Sequence, residues 1–96
     1  MPAYLIVDTE VHDPEGYEVY KREVPPFVAK YGGRYLARGG TLEVLEGNWK
    51  PARLLIFRFP DRQAIRNLLS DPDYQRLKAI RHTTTTSHLV AVDGLE

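Results

Sequence analysis

The sequence has 96 residues, and its thirteen Lys and Arg residues balance thirteen Asp and Glu residues. This length predicts a single domain over residues 1–96, which buries only roughly 60–65% of its unfolded surface unless a partner covers more. The zero net charge argues against a nucleic-acid binder, which normally carries a basic excess. No apolar run is long enough to span a membrane, no signal-peptide pattern follows Met1, and the absence of cysteine fits a cytoplasmic protein.

The first predicted element is a strand over residues 3–11, which are rich in β-branched and aromatic side chains. Side chains alternate along a strand, so Leu5 and Val7 face one side of the sheet while Tyr4 and Ile6 face the other. The strand therefore has apolar residues on both faces.

Two short helices are predicted next. Asp13 caps free N–H groups, and Pro14 fits a first helical turn, where its missing donor is not needed. An apolar stripe at helical spacing then runs as far as Tyr31. Pro25-Pro26 interrupts this stripe, because each proline removes a helical hydrogen bond, and Gly32-Gly33 predicts the end of the second helix.

The middle of the chain has the pattern of two strands. Residues 34–46 predict a long strand with a bulge at Gly39-Gly40, where the missing side chains permit a bend. Residues 53–59 are nearly all apolar, which is typical of a central strand.

The last third predicts a helix followed by a strand. Asp61 caps the helix, and Ser70-Asp71-Pro72 restarts it. Residues 82–92, with four threonines and a Leu-Val-Ala-Val run, predict the final strand by their β-propensity. In this reading His82 and His88 lie on one strand about 20 Å apart, too far to share a metal.

The element order β-α-β-β-α-β predicts an α+β fold of the ferredoxin-like type, with a four-stranded antiparallel sheet and helices on one face. The other face keeps apolar side chains such as Ile6 and Ile56, and a monomer rarely exposes such a face. We therefore expect a homodimer that pairs sheet on sheet. Asp8 lies on the same face, where Arg58 or a residue across the two-fold axis is a plausible partner.

The segments YGGRYLARGG (31–40) and LEGNWKPAR (45–53) resemble domain of unknown function family 1330. The flanking segments VHDPEGY (11–17), DPDY (71–74) and KAIR (78–81) fit the same pattern, so the resemblance covers nearly the whole chain. It implies a dimeric α/β barrel, in which two ferredoxin-like subunits press their sheets together. Relatives by fold include cofactor-less monooxygenases, muconolactone isomerase-like enzymes and haem-binding chlorite dismutase-like proteins, so the resemblance leaves the reaction open.

Charged residues around the predicted hairpin are the first candidates for chemistry. Arg38 could hold a carboxylate or enolate oxygen, and Glu46 could serve as a general base if burial raises its pKa. Arg34 and Arg53 are candidate substrate-binding residues beside them. The alternative is structural, because Arg38 or Arg53 could pair with Glu46 and simply hold the hairpin and the dimer together.

Tyr17 and Tyr20 lie on the inward helix face, where their hydroxyls could line a pocket and donate to a bound oxygen. Core packing is the alternative for both. His12 is a third catalytic candidate, as an acid or base near a helix N-terminus, with a surface-loop histidine as the alternative. The sequence shows no metal-ligand cluster, phosphate-binding glycine loop or nucleophile motif, so no cofactor or metal is predicted.

These observations support two main functional hypotheses. The first is a small enzyme that acts without a cofactor on a small organic acid or ketone. The second is a module that binds a small molecule without turnover or serves only for dimerisation. RNA binding through the strand aromatics Tyr4, Phe57 and Phe59 is a remote third, since the expected RNA-binding motif is missing.

Overall fold

The computed structural model describes residues 1–95. Within this range the strands are β1 (Ala3–Val11), β2 (Arg34–Arg38), β3 (Arg53–Phe59) and β4 (Thr85–Asp93), and the helices are α1 (Pro14–Glu23), α2 (Pro25–Lys30), α3 (Arg62–Ser70) and α4 (Gln75–Thr84). The strands form one antiparallel sheet in the order β2-β3-β1-β4. This α+β ferredoxin-like arrangement confirms the predicted fold. Among residues 1–95, no helix has the length and apolarity needed to cross a membrane.

The core lies between the helices and one face of the sheet. Alternate residues of β1 and β3 are buried there, while the residues between them remain partly exposed on the other face, as the alternation predicted. The buried residues of these two strands are Ala3, Leu5, Val7, Thr9, Leu55, Phe57 and Phe59. Phe57 and Phe59 thus face the helices, which removes them from the sheet face that the RNA-binding hypothesis required.

The predicted helix signals operate as expected. The Asp13 carboxylate accepts from the Gly16 amide at 3.2 Å, and the Asp61 carboxylate accepts from the Ala64 amide at 2.8 Å. The two prolines at 25 and 26 separate α1 from α2, as predicted. Gly32 ends α2 with a φ of 77°, a left-handed conformation that glycine adopts without steric cost.

The long strand predicted over residues 34–46 is wrong beyond Arg38. Gly39 has a φ of 68° and gives its amide to the Leu54 carbonyl at 3.0 Å, after which residues 40–52 leave the sheet. The bulge predicted at Gly39-Gly40 lies instead between Tyr35 and Ala37. Gly39 therefore ends the strand, because its left-handed backbone turns the chain out of the ladder.

The strand predicted to begin at residue 82 begins at Thr85, because α4 continues through Thr84. The hydroxyls of Thr83 and Thr84 donate to the Ile80 carbonyl at 3.1 and 2.7 Å, so they occupy the last turn of the helix. His82 consequently lies on a helix and shares no strand with His88.

Candidate functional site

A cavity lies between the sheet and helices α1 and α4. It leaves about 40 Å³ for the centres of water molecules, and the whole recess with its open mouth has an empty volume of about 620 Å³. Leucine, valine and phenylalanine side chains from the core form most of its wall. The polar side chains of this internal cavity are Thr9, Tyr17, Tyr20, Lys21, Tyr35, Arg38, Arg53, Tyr74 and Arg81. Within the described residues, no Asp, Glu or His belongs to its lining.

Arg81 is the most deeply placed charge in this cavity. Its side chain reaches inward from α4, only 6% of the residue is exposed, and its buried Nε has no hydrogen-bond partner. The buried Nε of Arg53 on β3 is likewise without a partner. Buried donors are normally paired, since leaving one unpaired costs about 1–3 kcal/mol. Arg53 Nε and Arg81 Nε are thus two buried donors, on residues that line the cavity, for which the described residues supply no acceptor.

The predicted structural alternative was an ion pair between Arg38 or Arg53 and Glu46. Across residues 1–95 no such pair is present, and Glu46 lies exposed in the connection between β2 and β3. Arg81 also has no carboxylate within ion-pair distance among these residues. The cavity thus contains guanidinium charge without a neutralising side chain.

Aromatic rings and one glycine position the two arginines nearer the mouth. The Arg38 guanidinium lies 4.5 Å from the centre of the Tyr35 ring, and its Nη2 donates to the Lys21 carbonyl at 3.2 Å. The Arg53 guanidinium lies 5.9 Å from the centre of the Tyr17 ring. It also packs against Gly39, where a Cβ would approach its Cζ to 2.6 Å. Glycine at position 39 therefore leaves the space that Arg53 occupies.

Two tyrosine hydroxyls form a donor pair inside the cavity. Tyr20 and Tyr74 are hydrogen-bonded through their hydroxyls at 2.7 Å, which uses one of the two hydrogens and leaves the other for a ligand. Burial raises the pKa of Tyr20 well above its usual value, and the neighbouring Tyr74 hydroxyl raises it further. Tyr20 is therefore neutral at physiological pH, and it serves as a hydrogen-bonding hydroxyl and not as a base.

The structure brings together four of the seven residues selected from the sequence: Arg38, Arg53, Tyr17 and Tyr20. The other three lie elsewhere. Arg34 is exposed and lies opposite Arg58 in the backbone register of β2 and β3. His12 is also exposed, and its Nε2 is hydrogen-bonded to the Thr86 hydroxyl at 2.7 Å. A role for these residues and for Glu46 stays a prediction.

Sequence reasoning missed Arg81 and did not assign Tyr74 a polar role. The missed signal is the helical spacing of Tyr74, Leu77, Arg81 and Thr84, which are all buried on the inward face of α4. Residues three and four positions apart share a helix face, so an arginine at this spacing points into the core. The predicted strand start at residue 82 hid this signal, because it ended the helix before the pattern was complete.

The open face of the sheet carries a second recess, which leaves about 400 Å³ for the centres of water molecules and is lined by Ile6, Asp8, Trp49, His88 and Val90. The Trp49 indole comes from the β2–β3 connection and donates its Nε1 hydrogen to the Asp8 carboxylate at 2.9 Å. Trp49 is thus a partner of Asp8 within the chain, in the place where the sequence suggested Arg58. In the part of the chain that the structure describes, no group of three or more His, Asp or Glu side chains is arranged to hold a metal ion.

The model of the family of domains of unknown function DUF1330 matches residues 2–95. The chain belongs to this family. The match confirms the resemblance recognised from the segments around Gly39 and Trp49, and it extends over both the cavity and the open sheet face.

Solved structures share the fold of this DUF1330 domain. A protein of unknown function from Rhodopseudomonas palustris has a TM-score of 0.82 and 19% identity, covering 99% of this chain and 83% of its own. SnoaB, a cofactor-independent oxygenase from Streptomyces nogalater, has a TM-score of 0.67 and 15% identity, with coverages of 99% and 94%. A dimeric ferredoxin-like protein of unknown function from Jannaschia sp. CCS1 has a TM-score of 0.71 and 12% identity, with coverages of 98% and 100%.

At these identities the likeness establishes the architecture of the DUF1330 domain and not its chemistry. A comparison with curated protein sequences found no match.

Proposed function

We propose that this DUF1330 protein binds a small anionic molecule with an apolar body in the internal cavity. The observation that carries the proposal is the pair of buried guanidinium Nε atoms, on Arg53 and Arg81, that have no acceptor although both residues line the cavity. A carboxylate or enolate oxygen would satisfy these donors, and charge-assisted hydrogen bonds of this kind are roughly twice as strong as neutral ones. The apolar wall would bury the rest of the ligand.

A cofactor-independent enzyme is the second candidate. Similarity in fold to the cofactor-independent oxygenase SnoaB supports it, as do the arginines and the Tyr20–Tyr74 pair, which could stabilise an oxyanion that forms on a substrate. Such a reaction also needs a proton acceptor, for which the sequence offers Glu46 and His12. Because neither residue lines the cavity, binding without turnover is the function that the geometry supports best.

We also propose that the protein is a homodimer that buries its open sheet faces against each other. Val90 and Val92 on β4 are 59% and 48% exposed, and Ile6 and Ile56 lie beside them on the same face. The dimeric protein from Jannaschia supports this assembly through its similar fold. A cytoplasmic location stays a prediction that rests on the absence of cysteine.

Arg81→Met tests the binding proposal, because it should change ligand binding and stability in opposite directions. Without ligand, the free energy of unfolding should rise by about 1–3 kcal/mol, since the substitution removes an unpaired buried donor and keeps an apolar stem. Thermal melts with a panel of small apolar carboxylates should show stabilisation of the wild type, about 2.7 kcal/mol at a hundredfold excess over Kd, and none of the variant.

Arg22→Met on the exposed side of α1 is the matched control, and it should keep the ligand response of the wild type. A flat carboxylate screen, together with an Arg81→Met variant that is much less stable than the wild type, would show that Arg81 serves the fold. Turnover of any stabilising acid, followed by chromatography of the mixture, would favour the enzyme over the binding module.

A further inference from the structure

A chain of three hydroxyl groups runs from the internal cavity to the end of helix α4. Thr9 Oγ1 and Ser87 Oγ lie 2.6 Å apart, Ser87 Oγ and Thr85 Oγ1 lie 2.7 Å apart, and Thr85 Oγ1 lies 2.6 Å from the Arg81 carbonyl. Thr9 and Ser87 are register partners on β1 and β4, so the sheet itself holds this chain together.

The direction of every hydrogen bond in the chain follows from its last member. A carbonyl oxygen can only accept, so Thr85 must donate to Arg81. With its single hydrogen used, Thr85 must accept from Ser87, and Ser87 must in turn accept from Thr9. The hydrogen of the Thr9 hydroxyl is therefore directed away from the cavity.

Thr9 consequently has only acceptor lone pairs left for a ligand. The residue is 1% exposed and lines the cavity together with Arg53, Arg81 and the Tyr20–Tyr74 pair, all of which are donors. A fitting ligand must supply acceptors to those donors and a hydrogen to Thr9. A plain carboxylate supplies only the first.

We infer that the ligand of this cavity is a small hydroxy acid, whose carboxylate binds the arginines and whose hydroxyl donates to Thr9. This inference rests on the proposed binding function and adds the substrate class. An ether or a second carboxylate at the hydroxyl position is disfavoured, because two acceptor oxygens would then face each other without a hydrogen between them.

Three acids of the same carbon skeleton test the inference by calorimetry: α-hydroxyisovalerate in both enantiomers, isovalerate and α-methoxyisovalerate. One enantiomer of the hydroxy acid should bind about three- to tenfold more tightly than isovalerate, the range expected for one neutral buried hydrogen bond. The methoxy acid should bind more weakly than isovalerate, since it has no hydrogen to give to Thr9.

Two variants test the direction of the hydroxyl chain. Thr9→Val should bring the affinities for the hydroxy acid and isovalerate within twofold of each other. Ser87→Ala should leave Thr9 in place but free its hydrogen to turn toward the cavity, so the preference for the hydroxy acid over the methoxy acid should fall at least threefold. Ser70→Ala is the control, because it removes a hydroxyl that bonds only to the Arg66 and Asn67 carbonyls at the end of α3.

The outcomes separate the inference from the proposed function. If all three acids bind equally well, or if the hydroxyl preference survives in Thr9→Val, the hydroxy-acid assignment is overturned and anion binding stands. If the Ser87→Ala variant keeps the full preference against the methoxy acid, the assigned direction of the hydroxyl chain is wrong. If none of the acids binds to the wild type, both the assignment and the binding function fail.

Discussion

At the scale of single residues, Asp71 is a buried carboxylate that stabilises the fold outside the cavity. It is 3% exposed, and its oxygens accept from the Lys30 ammonium at 2.8 Å, from the Tyr31 hydroxyl and from the Asp73 amide at 2.7 Å. The ends of α2 and α3 are thereby joined through one side chain. The hydrogen bond from Lys30, followed by that from Tyr31, lowers the pKa of Asp71 from 3.8 to about 2.

The lowered pKa predicts how stability depends on pH. Because the folded protein holds Asp71 ionised more strongly than the unfolded chain does, its contribution is fully present above pH 3.8 and is lost as the pH falls toward about 2. Asp71→Asn should therefore lower the urea midpoint at pH 7 and remove part of the fall in stability between pH 4 and pH 2. Urea titrations monitored through Trp49 fluorescence at several pH values would measure both effects.

The exposed neighbour Asp73 provides the control for this prediction, since Asp73→Asn changes a carboxylate two positions away. We expect that variant to keep the acid transition of the wild type. An Asp71→Asn variant with an unchanged pH profile would contradict the assigned role of Asp71.

The residues of the site were predictable to the extent that their elements were predictable. The helical stripe of α1 predicted Tyr17 and Tyr20, and the strand pattern directed attention to Arg38 and Arg53. Arg81 escaped because threonine favours strands, whereas Thr83 and Thr84 here satisfy helix carbonyls with their hydroxyls. Whether the Nε of Arg81 finds a hydrogen-bond partner depends on the positions of side chains from several elements, which the sequence pattern does not encode.

At the scale of elements, the connection between β2 and β3 is where local pattern and structure disagree. Residues 41–46 include three apolar side chains that favour a strand, yet the chain has left the sheet by this point. The left-handed turn at Gly39 outweighs their β-propensity, which depends strongly on the presence of a neighbouring strand. Pairing with β3 instead stops at Gly39 and Leu54. The predicted number and order of strands are nevertheless correct, because they depend on β3 and on the turn at Gly39 rather than on the length of β2.

Gly39→Ala should lower both the stability of the fold and the affinity of the cavity for a ligand. A side chain in the left-handed region costs roughly 1–2 kcal/mol, and the new Cβ would also displace the Arg53 guanidinium from its place beside Tyr17. We expect the free energy of unfolding to fall by about 1–2 kcal/mol and the affinity for any bound carboxylate to fall several-fold. Denaturation and calorimetry on the same preparation would measure the two effects.

Gly47→Ala is the matched control for the backbone term. Gly47 has a φ of 95° in the same connection, but a Cβ there would meet no atom within 4 Å. This variant should lose a similar amount of stability while keeping the ligand affinity of the wild type. Equal losses of affinity in the two variants would argue against a role for Gly39 in positioning Arg53.

At the scale of the whole molecule, the sheet separates two surfaces with different chemistry. Its helix-covered face contains the cavity, and its open face carries apolar side chains from β1, β3 and β4 beside the Trp49–Asp8 hydrogen bond. This division was visible in the sequence as apolar residues at both parities of the first strand. The zero net charge places no overall repulsion between two identical chains that meet through the open face.

Val90→Asp should therefore separate the proposed dimer while leaving each subunit folded. Val90 lies next to Ile6 in the sheet register and is 59% exposed in the single chain, so the substitution removes little of the core. In the proposed dimer, the interface would bury two unpaired carboxylates, one from each subunit, each at a cost of several kcal/mol. Every 1.4 kcal/mol of lost binding free energy weakens association tenfold. Sedimentation equilibrium should show a dissociation constant raised by at least tenfold, with an unchanged far-ultraviolet circular dichroism spectrum.

Ala79→Asp, which adds the same charge to the exposed side of α4, should sediment as the wild type does. A Val90→Asp protein that remains dimeric at micromolar concentration would exclude the open sheet face as the interface.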